Sequence, residues 1–276
     1  MSTIKYLYPH WGTKQNTPSD FFYLALSNYF DGIEINLPED TIFRRQFQDA
    51  LNSIKLEQPD FICVLQQVLG IQKESPKDYL SRVLVTLEKM LPYQPNFINS
   101  HTGKDHYSFS ENCNIIEAIE AFSSKHNIPV LHEIHRGRFT FHSKTTLNYL
   151  EKFPNLKFVG DLSHWCVVSE SMLEDQEELI TKIIPHIHHI HARVGFEQSP
   201  QVNHPFAPEW QLHLDTFTQW WQEIIDYHSS KRDMTITPEF GPYPYMPQLP
   251  FTKEPLADQH ELNCKMKTQL KLNLTY

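Results

Sequence analysis

Short β-branched or aromatic runs alternate with longer stretches of helical period along the chain, and the alternation returns about every 30 residues. This rhythm constrains the fold strongly, because parallel strands need a crossover of a dozen or more residues, which a helix supplies. Strands are expected near 3–8, 32–36, 60–66, 96–101, 129–134, 157–162, 187–193 and 234–239. Helices are expected near 18–29, 40–54, 75–91, 111–126, 143–152, 169–184, 213–228 and 256–273. Ser19 and Ser143 read as helix starts, Ser110 or Asn112 as another, and Pro18 and Pro76 suit first turns. Eight βα units in 276 residues fit an α/β fold of one kind, a single (β/α)8 TIM barrel spanning 1–276. A doubly wound open sheet would ordinarily carry a glycine-rich phosphate loop after its first strand, and here that turn reads PHWGTKQN.

Composition narrows the function. With 24 Lys plus Arg against 33 Asp plus Glu the net charge is −9, and no basic run could track a phosphate backbone, so nucleic acid is not the expected partner. No run approaches the roughly 18 apolar residues of a membrane span. The start, MSTIKYLYPHWG, lacks a secretory core, so the cytoplasm is the expected compartment. Cys63, Cys113, Cys166 and Cys264 form no CxxC pair, which argues against a zinc knuckle or a disulfide framework. The 16 histidines gather toward the middle of the chain, and chemistry is sought there.

In a barrel the C-terminal strand ends face the active site. The fourth strand ends in His101, the fifth in Glu133, the sixth in Asp161 with His164 following, the seventh in His189 and His191, and the eighth in Glu239. Three carboxylates converging on one mouth would repel one another unless a cation joined them. Glu133, Asp161, His191 and Glu239 make a hard donor set suited to one divalent ion, Mn²⁺, Mg²⁺ or Co²⁺ first, with Zn²⁺ or Fe²⁺ compatible. His189 shares a strand face with His191, so one can ligate while the other supports it or faces substrate.

Together GIEI, SHTGKD, HEIHRGR, GDLSHW, HIHARVG and PEFGP, in this order on strands two and four to eight, resemble the xylose-isomerase-like TIM-barrel superfamily, especially its sugar phosphate isomerase/epimerase-type proteins. The resemblance implies that Glu133, Asp161, His191 and Glu239 ligate the metal and that His164 contacts substrate oxygens. It also implies that Glu133 and Glu239 exchange a proton with the substrate through an enediolate, as in isomerases and epimerases of small ketoses, aldoses or acidic sugar derivatives. In the epimerase relatives an acidic residue follows the fifth-strand glutamate by six positions and an arginine follows the seventh-strand histidine by six; here Phe139 and Glu197 hold those places.

Around this centre, His101, His135, Arg136, Arg193, His189, Glu34 and Trp11 are further expected substrate contacts. Arg136, Arg138 and Arg193 could hold a phosphate or carboxylate. His101 could instead join a second metal, with Glu133 as a bridge. Glu34 either binds a hydroxyl or ties down Arg136, and Trp11, Phe240 and Tyr243 are the aromatics placed to stack on a sugar. The expected partner is a small carbohydrate, with a homo-oligomer compatible. The alternatives are a metal-dependent hydrolase or lyase on the same barrel, endonuclease-IV-like chemistry being disfavoured by the charge, and a non-catalytic sugar-binding barrel.

Overall fold

A computed structural model describes residues 3–13 and 17–276. The β-branched and aromatic runs form eight parallel strands: β1 (Ile4–Pro9), β2 (Gly32–Ile35), β3 (Ile62–Gln67), β4 (Phe97–Ser100), β5 (Val130–Glu133), β6 (Phe158–Gly160), β7 (Ile187–Ala192) and β8 (Met234–Pro238). They pair in chain order and β8 returns to β1, closing a barrel with no free edge. The expected strand bounds hold to within about two residues, the usual uncertainty of element ends. The helices are α1 (Pro18–Ser27), α2 (Thr41–Glu57), α3 (Pro76–Met90), α4 (Phe109–His126), α5 (Ser143–Lys152), α6 (Ser163–Ser169), α7 (Glu177–Ile183), α8 (Gln211–His228) and α9 (Gln259–Asn273).

The helix expected over 169–184 is shorter, α7 covering only Glu177–Ile183, and a separate helix not expected from the sequence, α6, precedes it. As the chain leaves β6, Asp161 accepts from the Ser163 backbone N–H and hydroxyl, and α6 starts directly after Leu162, its N-cap, which sets His164 in the first turn. Glu170 (φ 48°) and Leu173 (φ 63°) then turn left-handed and interrupt the helix before α7. Several caps also differ from the expected ones. Thr17 rather than Ser19 caps α1 in a reciprocal box with Asp20, Ser108 does the same for α4 with Glu111, and His142 leads α5. Pro18 and Pro76 do occupy first turns.

Two apolar regions hold the fold. The larger lies between strands and helices and takes in Ile33, Ile98, Ile116, Phe158, Ile190 and Ile236, along with the buried Trp221. The smaller fills the barrel interior with Leu7, Val64, Phe97, Leu131 and Val159. Each such side chain contributes about 1.5–3 kcal/mol by leaving water. Cys63, Cys113 and Cys166 are buried free thiols and Cys264 is half-buried. No helix among the described residues is long and apolar enough to cross a membrane.

Candidate metal and substrate site

Above the interior plug the inward-facing residues turn polar. Strands β5 and β7 carry Glu133 and His191 at or near their ends, and Asp161 and Glu239 follow β6 and β8 directly. These four are buried, and each offers a donor atom within 4.8 Å of the others. The same criterion groups His101, Glu133 and His135, and Glu34, His189 and His191.

Glu34, from β2, sits beneath this cluster and organises it. Its two oxygens lie 3.0 and 3.1 Å from His191 Nε2, and Oε2 also lies 3.1 Å from His189 Nε2. Asn99 and Gln66 donate to Oε1 at 3.0 and 3.1 Å, and the Thr237 hydroxyl donates to Oε2 at 2.5 Å. Burial alone would raise the Glu34 pKa, but His191 and His189 reverse it and hold the carboxyl well below its ordinary range. A carboxylate can only accept, so the proton of His191 belongs on Nε2. Its Nδ1 then points a lone pair toward Glu239 Oε2 at 3.0 Å and Glu133 Oε1 at 3.8 Å, and this buried nitrogen makes no well-aligned hydrogen bond among the described residues.

Crowded acceptors of this kind need a cation between them. Burial disfavours an imidazolium at His191, yet Glu239, Glu34 and Glu133 outweigh it and raise its pKa well above the usual value when no cation is present. Burial pushes Asp161 up to about 6 against the pull of Arg193, with Glu239 adding to the push. For Glu133 burial is overcome by His101 and His191, and the carboxyl is held well below its ordinary value. The buried positive partner is Arg193, whose guanidinium joins Asp161 to Glu239 (Nη1 to Oε2, 3.3 Å) and donates to His164 Nε2 at 3.1 Å. Four buried carboxylates, Glu34, Glu133, Asp161 and Glu239, face this one guanidinium, so even a protonated His191 leaves two negative charges in excess. The donors, their charge and the open Nδ1 fit a divalent ion, for which Glu34 would hold the His191 imidazole in place.

Above the cluster opens a cleft of about 790 Å³ whose lining includes Trp11, Gln66, His101, Arg138, Arg193 and Tyr245. Glu133, Glu239 and His135 also reach it. Gly241 gives the indole of Trp11 its seat, since a Cβ there would come within 2.1 Å of the ring. His101 bridges the cleft wall to the cluster through Nε2 to Glu133 at 2.9 Å and Nδ1 from Arg138 at 3.2 Å. His135 and His164 lie against each other with ring centroids 3.8 Å apart and planes tilted by 45°, and burial and neighbouring positive groups keep both neutral.

The expected contacts therefore divide by depth. Trp11, His101, His135 and Arg193 line the cleft, His164 lies under them, and Glu34 and His189 lie buried below the ligand cluster. Glu34 does not tie down Arg136, because six hydrogen bonds from the interior already use its oxygens; Arg136 stands 5.2 Å over the Tyr245 ring instead. Phe240 is fully buried and Tyr243 points outward, so Tyr245 is the aromatic of that loop that reaches the cleft. Sequence reasoning misses Tyr245 and the amides Gln66 and Asn99. The amides carry a readable signal, a polar residue at an inward position near the end of an otherwise apolar strand.

The sequence matches no family model and no curated protein. Its backbone does match solved structures. A probable 3-DHS dehydratase, AsbF, involved in petrobactin synthesis from Bacillus anthracis, superposes with a TM-score of 0.63 at 18% identity over 97% of this chain and 99% of that one. A D-allulose 3-epimerase from Methylomonas sp. gives 0.67 at 12% identity over 99% of both chains. The IOLI protein with a bound zinc atom gives 0.67 at 11% identity over 99% of this chain and 100% of that one. Further matches include xylose isomerase domain proteins. With the closed eight-stranded parallel barrel, these likenesses identify the chain as a TIM barrel of the xylose-isomerase-like fold.

Proposed function

We propose that this chain is a divalent-metal-dependent isomerase or epimerase of a small ketose, aldose or acidic sugar derivative. The observation that carries the reading is the convergence of Glu133, Asp161, His191 and Glu239 at the floor of the cleft, with His191 Nδ1 open and its Nε2 fixed by Glu34. A divalent ion held by these four would supply Lewis-acid polarisation of a carbonyl and its neighbouring hydroxyl. The protein's own groups do the rest. Glu133, kept ionised by His101 and His191, takes a proton from the carbon beside the carbonyl on a carboxylate oxygen, and Glu239 is the second proton carrier. Arg193, backed by His164, faces substrate oxygens from the cleft wall, and Trp11 and Tyr245, whose rings lie beside its guanidinium, wall the cleft and keep water from the reacting carbon. The setting is cytoplasmic and the partner a small molecule, in keeping with the −9 charge.

A lyase is the second reading. It would use the same proton abstraction and then break the bond to a β-hydroxyl, which would leave as water with a proton delivered by Glu239, in place of reprotonation at carbon. The likeness to a protein described as a probable 3-DHS dehydratase favours it.

The test is hydrogen–deuterium exchange at carbon in heavy water, with a panel of ketoses, sugar acids and sugar phosphates and with Mn²⁺ restored. Deuterium in a rearranged or epimerised product supports the first reading, and an unsaturated product with loss of water supports the second. A fully loaded protein that exchanges no carbon-bound hydrogen across the panel overturns both.

A further inference from the structure

The chain as a whole is acidic, but one wall of the cleft carries cations. Arg82 on α3 and Arg138 after β5 line it, and Lys104 after β4 lies near both, beside Tyr79, whose hydroxyl donates to the His101 carbonyl at 2.8 Å. Lys104 Nζ stands 5.3 Å from the Tyr79 ring centroid, and burial together with Arg138 pushes its pKa down. The arginines lining the cleft differ in what they hold. Arg82 is spent on Glu74, to which it donates through Nε and Nη2 at 2.8 and 2.6 Å. Arg193 is spent on Asp161 and Glu239. Arg138 has no carboxylate within salt-bridge distance among the described residues; its Nη2 donates to His101 Nδ1, and its buried Nε has no hydrogen bond.

A guanidinium has five N–H donors in a fixed fork, and burying them unpaired costs about 1–3 kcal/mol for each unsatisfied group. A carboxylate or phosphate satisfies such a fork in two-point geometry. We propose that the cleft takes a substrate bearing an anionic group, carboxylate or phosphate, which Arg138 binds while the carbonyl end of the same molecule meets Glu133 and Glu239. The proposal rests on the functional reading above and narrows its substrate class. The path from anchor to chemistry is short, because Arg138 fixes the tautomer of His101, which donates from Nε2 to Glu133. Lys104 and Arg136 add positive potential that would draw an anion to the mouth of an otherwise acidic protein.

Three compounds on one carbon skeleton test this by calorimetric titration of the Mn²⁺-loaded protein: D-glucitol, D-gluconate and D-glucitol 6-phosphate. At least one anion is expected to bind tenfold or more tighter than glucitol, and whichever does so tells carboxylate from phosphate. In Arg138→Met that preference is expected to collapse to less than threefold, and Arg138→Lys should retain part of it. Should Arg138→Met fold poorly, the salt dependence of the unaltered protein serves: anion affinity should fall between 20 and 200 mM salt and glucitol affinity should not. Equal binding of the three, no binding of either anion, or an anion preference that survives in Arg138→Met would overturn the proposal. Metal content measured on the same preparations separates the two claims. A protein that takes up no metal yet keeps the anion preference defeats the functional reading alone, whereas a loaded protein indifferent to charge defeats this one alone.

Discussion

Val64, Phe97, Leu131 and Val159 fill the lower barrel interior, whereas Gln66, Asn99, Glu133 and Asp161, each two residues further along the same chain segment, face the site above. A two-residue step keeps a side chain on the same strand face and moves it up about 6.6 Å, one layer of the barrel. The lower layer gains from leaving water. The upper layer loses by it, because buried charges cost several kcal/mol each unless paired, and this layer holds four carboxylates against one guanidinium. Stability is thus concentrated below, while the upper layer keeps an electrostatic excess that a divalent cation would balance. The contact between Phe97 and His189, ring centroids 5.2 Å apart, marks the boundary.

Substitutions in each layer should have opposite signatures. The largest effect is expected for Glu239→Gln, which keeps shape and removes charge. Turnover should fall about 10³-fold or more while the circular dichroism spectrum and melting temperature stay close to those of the unaltered protein. Leu131→Ala in the plug should do the reverse, lowering unfolding free energy by about 2–5 kcal/mol in urea titrations with metal content unchanged. Glu34→Gln probes the join between layers: it alters the support of His191 without touching a proposed metal ligand, so metal affinity should drop about 10–100-fold, read by chelator competition.

A smaller effect separates the site from the rest of the barrel. His188 faces outward from the ligand cluster, among His186, His228, Arg232 and Lys157, and burial followed by Arg232 lowers its pKa to about 3. The folded chain therefore keeps His188 neutral where the unfolded chain, titrating near 6.5, is protonated. Its share of stability is complete above about pH 6.5 and is lost as pH falls from there toward 3, by up to about 1 kcal/mol per unit. His188→Gln should flatten that part of the stability profile measured by urea unfolding, and an unchanged profile would contradict the assignment.

Much of this architecture is legible in the order of the residues alone. The eight strands follow from hydrophobic runs and their spacing, and the four proposed ligands follow from polar residues placed where barrel strands end. The part that stays hidden depends on closure. Glu34 meets His189 and His191 across the barrel interior from β2 to β7, a pairing that no local pattern encodes. Tyr245 reaches the cleft from a proline-rich segment with no period to read, so the sequence does not distinguish it from the outward Tyr243 or the buried Phe240. The start of α6 escapes a search for helix caps because its N-cap is Leu162, whose side chain caps nothing, and the bond to the Ser163 N–H comes from Asp161, a proposed ligand.

The central claim is that the excess negative charge of the upper layer is balanced by a bound divalent ion. Elemental analysis of the protein as purified, repeated on His191→Leu, tests it most directly. One divalent ion per chain, with affinity at least tenfold weaker in His191→Leu, is the predicted result. A chain with all four donors intact that binds no divalent ion even at millimolar concentration would contradict it and leave Arg193 and a protonated His191 as the counter-charges of a sugar-binding barrel.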